Sequence, residues 1–140
     1  GDAWAMYSLA YYYAEGVYGL PQDSAKALEL LHQSAELGNA GAYHNIGNAY
    51  NNGIGVERDE KKAVQYFELA AIGGNEYARH NLGNLEGRAG NMNKAFRHYM
   101  IAVEGGYHDS LKTIQQMYKN GRATRDDYSK ALLAYQEYLS

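Results

Sequence analysis

The sequence predicts an all-α fold, a solenoid of four antiparallel helix pairs running over residues 1–140. Three observations carry this expectation. The dipeptide Lys-Ala recurs at Lys26-Ala27, Lys62-Ala63, Lys94-Ala95 and Lys130-Ala131, at intervals of 36, 32 and 36 residues. The chain holds 16 Gly and 15 Tyr but only one Pro, Pro21, a composition suited to short helices joined by Gly-rich turns. No stretch shows the alternation of apolar and polar residues that marks a strand. A fixed period of this length signals an array whose units, each too small to bury its own apolar face, stack to share a core.

Within each unit the second helix is the easier to place. Asp23, Asp59, Asn91 and Asp127 stand four residues before the Ala of each Lys-Ala, and their side chains suit the free amides of a helix start. Eleven residues after the first three Ala come Gly38, Gly74 and Gly106, able to take the left-handed conformation that closes a helix. The apolar seam of these helices is read as Leu30, Leu31 and Ala35, then Tyr66, Ala70 and Ala71, then Tyr99, Ala102 and Val103. The first helices appear as Leu9-Ala10-x-x-Tyr13-x-x-Gly16 and Ile46-Gly47-x-x-Tyr50-x-x-Gly53, followed more loosely by Leu82-Gly83 and Ile114. Ala5, Ala42, Ala78 and Ser110 precede the key Leu or Ile by four positions, which puts small and large residues on one helical face. Repeat boundaries follow at about 2–39, 40–75, 76–107 and 108–140.

The unit Ala42-x-x-x-Ile46-Gly47-x-x-Tyr50-x-x-Gly53-Ile54-Gly55-Val56-x-x-Asp59-x-x-Lys62-Ala63-x-x-Tyr66-x-x-x-Ala70-Ala71-x-x-Gly74-Asn75 closely resembles a Sel-one-like repeat. The first unit carries one inserted residue between Gly16 and Ala27, and the fourth has Arg122-Ala123-Thr124 in place of Ile-Gly-Val. The third departs most, with Glu86 where an aromatic is usual and a turn shorter by four residues. The resemblance spans essentially the whole chain. It implies a right-handed superhelix of helix pairs related to tetratricopeptide repeats, and an adaptor that binds a partner protein or extended peptide.

The resemblance further implies that first helices line a concave groove, with the residues two before and two after the key Leu or Ile facing it. Those are Tyr7 and Tyr11, His44 and Asn48, His80 and Asn84, Lys112 and Gln116, with Asn51 one turn beyond Asn48. An amide both donates and accepts, so such a row suits the main chain of an extended peptide. The same residues equally suit an ordinary solvated helix face. Trp4, Tyr7, Tyr11, Tyr12, Tyr13 and Tyr18 crowd the first unit, and one short helix cannot turn them all inward. They form either a partner-binding patch or a surface that a further repeat covers.

Other chemistries find little support. A net charge of −3 offers no footprint for nucleic acid or an anionic membrane. No apolar run reaches membrane-spanning length. The chain lacks Cys, and around His44 and His80 only amides stand nearby, so neither a metal site nor a cofactor is expected. No nucleophile or partner carboxylate recurs beside these His, so an enzyme is not expected and a hydrolase is the weakest reading. Gly53-Ile54-Gly55 and Gly87-Arg88-Ala89-Gly90 lack the strand and the Lys-Ser/Thr of a phosphate loop. The acidic residues Asp23, Asp59, Glu60 and Asp127 offset the repeated Lys. The absence of a secretory signal or glycosylation sequon favours a cytoplasmic location without assigning one. The abrupt ends read as those of a piece of a longer protein. A structural spacer or a module self-associating through its terminal repeats is the alternative to a binding scaffold.

Overall fold

The computed structural model describes residues 2–140, and among them the regular structure is eight α-helices with no strand. They are α1 (Asp2–Glu15), α2 (Ser24–Glu36), α3 (Gly41–Asn52), α4 (Glu60–Ile72), α5 (Glu76–Arg88), α6 (Met92–Glu104), α7 (His108–Lys119) and α8 (Arg125–Leu139). The expected all-α, helix-pair architecture is therefore what the chain adopts. Two compact units emerge, Gly1–Gly73 and Gly74–Ser140, each holding two helix pairs. In the first, α1 packs on α2, α3 on α4, and α2 joins the pairs through α3. In the second, α5 packs on α6, α7 on α8, and α6 contacts both α7 and α8.

Local chemistry explains most helix boundaries. Asp23 and Asp59 accept from the backbone N–H of Lys26 and Lys62 at 3.0 and 3.1 Å, as expected of N-caps. Gly38 and Gly106 take φ of +103° and +90°, closing α2 and α6 through bonds such as Tyr107 N–H to Ala102 O at 2.9 Å.

The other two expected caps need correction. Asn91 stands at the start of α6 but its side chain does not cap it; its Nδ2 donates to Glu86 Oε2 at 2.8 Å. The shortened third turn brings the two residues together, and Glu86, in the place of an aromatic, ties the turn through a hydrogen bond instead of a ring. Asp127 lies inside α8, whose N-cap is Thr124. Thr124 Oγ1 accepts from Asp127 N–H at 3.0 Å and Asp127 Oδ2 accepts from Thr124 N–H at 2.9 Å, a reciprocal capping box that begins the helix three residues early.

In the two central pairs the core is built from a glycine of the first helix facing a large residue of the second. A Cβ placed on Gly47 would lie 2.6 Å from the Phe67 ring, and one on Gly83 would lie 2.6 Å from Tyr99. The first helix thus meets the second with bare backbone. Phe67 is fully buried, so it, and not the expected Tyr66, is the large residue of that seam. Tyr66 sits at the edge of the neighbouring cluster of Leu28, Ile46 and Ala49, stacked on Tyr50 at 5.8 Å. In the second unit Tyr99, Ala102 and Val103 are buried as expected.

The first pair differs. Ala5 is exposed and Leu9 is 37% exposed, whereas the equivalent Ala42 and Ile46 are 0% exposed. In α3 that face lies under α2, whose Leu28 and Leu31 pack with Ile46, and among the described residues no helix covers the same face of α1. Ala10 and Ser34 are buried between α1 and α2 instead, with Ser34 Oγ donating to Ala3 O at 2.6 Å.

Two glycines of α5 make opposite predictions. Gly83→Ala forces its methyl into the Tyr99 ring and should lower stability by about 1–3 kcal/mol. Gly87→Ala meets only Ala95 Cβ at 3.8 Å, an ordinary contact, and should raise stability by about 0.5–1 kcal/mol through helix propensity. Urea unfolding midpoints of the two variants check both signs.

Candidate functional site

In each unit a recess is bounded by the first and second helices of one pair and the first helix of the next. In the first unit its volume is about 270 Å³, with Tyr7, Tyr11 and Ala14 on α1, Leu28 and Leu31 on α2, and Asn45, Asn48 and Ala49 on α3. In the second it is about 620 Å³, with Asn84 and Arg88 on α5, Met92 and Tyr99 on α6, and Thr113, Gln116 and Met117 on α7. The lining positions correspond through the repeat: Tyr11 to Asn84, Ala14 to Gly87, Leu31 to Tyr99, Asn48 to Gln116, Ala49 to Met117, and Ile54 to Arg122.

The structure sorts the residues singled out from sequence. All four that follow the key Leu or Ile by two positions, Tyr11, Asn48, Asn84 and Gln116, line a recess. Of those that precede it by two, only Tyr7 does. His44 and His80 turn toward the second helix of their own pair, their rings 5.9 Å from Phe67 and 5.1 Å from Tyr99. Lys112 is exposed outside the recess lining. Asn51 also stands outside, with its side-chain Oδ1 buried and unpartnered among the described residues and its backbone O accepting from Arg58 Nε at 2.8 Å.

Hydrogen bonds hold the recess walls in place. Asn45 Nδ2 donates to Tyr7 OH at 2.7 Å, linking α3 to α1. Tyr99 OH donates to Asn84 Oδ1 at 2.6 Å, linking α6 to α5. Burial pushes the Tyr99 phenol above its ordinary range, with Arg88 acting weakly the other way, so the hydroxyl keeps its proton for that bond. The aromatic crowd of the first repeat divides between recess and solvent. Trp4, Tyr11 and Tyr18 are exposed, Trp4 stacks on Tyr7 at 5.7 Å, and Tyr18 meets Tyr12 edge-on at 4.9 Å.

One contact escaped the sequence reading: His80 Nδ1 lies 2.7 Å from Ser110 Oγ. The pairing resembles a nucleophile and its base, but Ser110 is 0% exposed and no substrate can reach it. The only signal for it was the register, since Ser110 occupies the small-residue position where the earlier first helices carry Ala. The hydroxyl satisfies a histidine that packs between Tyr99 and Tyr107. Among the described residues no group of three His, Asp or Glu is placed to hold a metal ion, and no helix is long and apolar enough to cross a membrane.

The family model described as Sel1 repeat matches residues 5–39, 40–75 and 76–107. The chain belongs to the Sel1 repeat family. Sel1 repeat proteins are in general scaffolds for protein interaction without catalytic activity of their own. A solved Sel1 repeat protein from Oxalobacter formigenes superposes with a TM-score of 0.80 at 26% identity, over 98% of this chain and 59% of its own. A protective antigen of uropathogenic Escherichia coli with an SLR fold gives 0.80 at 25% identity, over 99% of this chain and 31% of its own. A Pseudomonas aeruginosa protein at 18% identity shares the fold with a TM-score of 0.60, over 98% of this chain and 69% of its own. The chain thus spans less than two thirds of the length of either of these first two relatives. No curated protein sequence matches it.

Three Sel1-repeat histidines titrate below their ordinary value. Burial lowers His32, His44 and His80 from 6.5, opposed in part by Glu36, by a hydrogen bond with Asn45 and by Asp109 respectively. A depressed histidine favours the folded state when neutral, so its stabilisation is complete above about pH 6.5 and is lost as pH falls below it. Thermal midpoints should therefore drop between neutral and mildly acidic pH, and His44→Gln with His80→Gln should flatten that slope. A slope unaltered by the double substitution would place the acid sensitivity elsewhere.

Proposed function

We propose that this Sel1 repeat chain is an interaction scaffold whose recesses receive an extended peptide segment of a partner protein. The observation that carries the reading is the recurrence of one recess at repeat-equivalent positions in both units, with Tyr11, Asn48, Asn84 and Gln116 on its walls. Amides and a phenol pair with main-chain groups of a peptide, while the apolar floors of Leu28 and Leu31, and of Met92 and Met117, accept its side chains. Residues 108–140 are read as a fourth, divergent repeat, since α7 and α8 pack as a pair beyond the last matched residue. With a purified partner, Asn48→Ala combined with Asn84→Ala should weaken affinity by about tenfold, a loss of ~1.4 kcal/mol, while far-ultraviolet circular dichroism stays the same. Unchanged affinity would remove the recesses from the binding surface.

A second reading, self-association, is favoured by the end helices. Ala5 and Leu9 of α1 are exposed on the face that α3 gives to α2, and Leu132, Leu133 and Leu139 of α8 are exposed as well. Each helix offers an apolar surface to a second copy. Sedimentation should show concentration-dependent association that Leu9→Asp abolishes. A strict monomer at every concentration leaves only the peptide-binding reading.

A further inference from the structure

The two recesses share a position in the repeat but not a chemistry. Among the residues lining the first there is no charged side chain, and its rim carries Ile54. The second carries Arg122 at the position of Ile54 and adds Arg88, with no Asp or Glu in its lining. Among the described residues neither guanidinium is ion-paired, and the salt bridges there are Lys26 to Glu29 at 3.8 Å and Arg58 to Glu60 at 3.7 Å. In a protein of net charge −3, two unpaired cations at one recess make a local reversal of the field.

The polar walls point the same way. Tyr99 OH occupies Asn84 Oδ1 at 2.6 Å, which leaves the Asn84 amide nitrogen to donate. The Gln116 and Asn120 amides add donors beside it, while Thr113 Oγ1, which donates to Asp109 O at 3.0 Å, keeps only its acceptor side for the recess. A carboxylate is acceptor-only and matches a guanidinium in a two-point hydrogen bond. The thioethers of Met92 and Met117 adapt to whatever apolar side chain lies next to it.

We propose that the second unit's recess binds an acidic peptide segment, seating a Glu or Asp side-chain carboxylate at Arg88, Arg122 and the Asn84 amide with an apolar neighbour on Met92 and Met117. This rests on the peptide-binding reading and names the class of segment that the second unit selects. The first unit, with its neutral aromatic and aliphatic walls, takes an uncharged stretch.

The test uses acetyl-Leu-Glu-Leu-amide and its Gln and Lys counterparts, titrated into the isotopically labelled whole chain and followed by amide chemical shifts. The Glu peptide should shift the amides of Asn84, Arg88 and Gln116 and weaken with added salt. The Gln peptide should bind about tenfold more weakly, and the Lys peptide not at all. Arg88→Ala with Arg122→Ala should reduce the Glu peptide to the level of the Gln peptide; both side chains are exposed, so helicity is retained. Arg58→Ala, in the first unit, should change nothing. Equal binding of the Glu and Gln peptides, binding that depends on a free C-terminal carboxylate, equal shifts from inorganic phosphate, or no shift at these amides would each overturn the proposal. If it falls while Asn48→Ala still weakens a partner, the peptide-binding reading stands and only the acidic preference is lost.

Discussion

Contact between the bare backbone of a first helix and an aromatic ring of the second sets the geometry of the central helix pairs. Gly47 receives Phe67 and Gly83 receives Tyr99, in both cases at a distance that a single methyl group would close. A fully buried ring contributes a few kcal/mol of hydrophobic stabilisation, and close approach of the helix axes lets it fill the seam without a void. The small residues Ala42 and Ala78 of the same two first helices are fully buried as well. In the second unit the recess follows from the close approach too, because Tyr99 sits against Gly83 with its ring and reaches Asn84 with its hydroxyl. One side chain thus packs the pair and shapes the surface beside it.

The turns show how the same repeat tolerates different local solutions. In the first two pairs an Asp caps the second helix, and its own N–H donates back to Tyr13 O or Tyr50 O at 2.9 Å, so turn and cap are tied together. The third pair has fewer residues in which to turn, and Asn91 keeps the backbone bond, to Glu86 O at 2.8 Å, while its side chain bonds Glu86. The fourth starts its helix from Thr124 with a capping box. Each solution satisfies the free amides of a helix start with whatever polar group the turn length brings within reach.

In such an array a ligand can reach only positions that packing leaves open. The residue two after the key Leu or Ile is such a position, and it appears as Tyr, Asn, Asn and Gln in successive repeats. The residue two before is less free, since His44 and His80 are drawn against the rings of Phe67 and Tyr99. Ile54 and Arg122 show how one rim position can turn a neutral recess into a cationic one without disturbing the fold around it. Both are exposed, so their identity costs the core nothing.

What the sequence by itself determined is local. Helix type and number, the N-caps Asp23 and Asp59, and the closing Gly38, Gly74 and Gly106 follow from periodicity and backbone chemistry within a few residues. The family resemblance proposed two positions beside each key Leu or Ile without separating them; the structure puts Tyr11, Asn48, Asn84 and Gln116 on recess walls and His44, His80 and Lys112 elsewhere. Tertiary structure decided whatever depends on a neighbour distant in the chain. Phe67 and Tyr66 are adjacent and both aromatic, and only the presence of Gly47 opposite one of them selects Phe67 for the seam. Leu9 and Ile46 match in pattern, and only the helix lying over Ile46 buries it. His80 finds Ser110 thirty residues away across the packed helices. Periodicity names the face of a helix, but a face is buried, bonded or open according to what the fold lays against it.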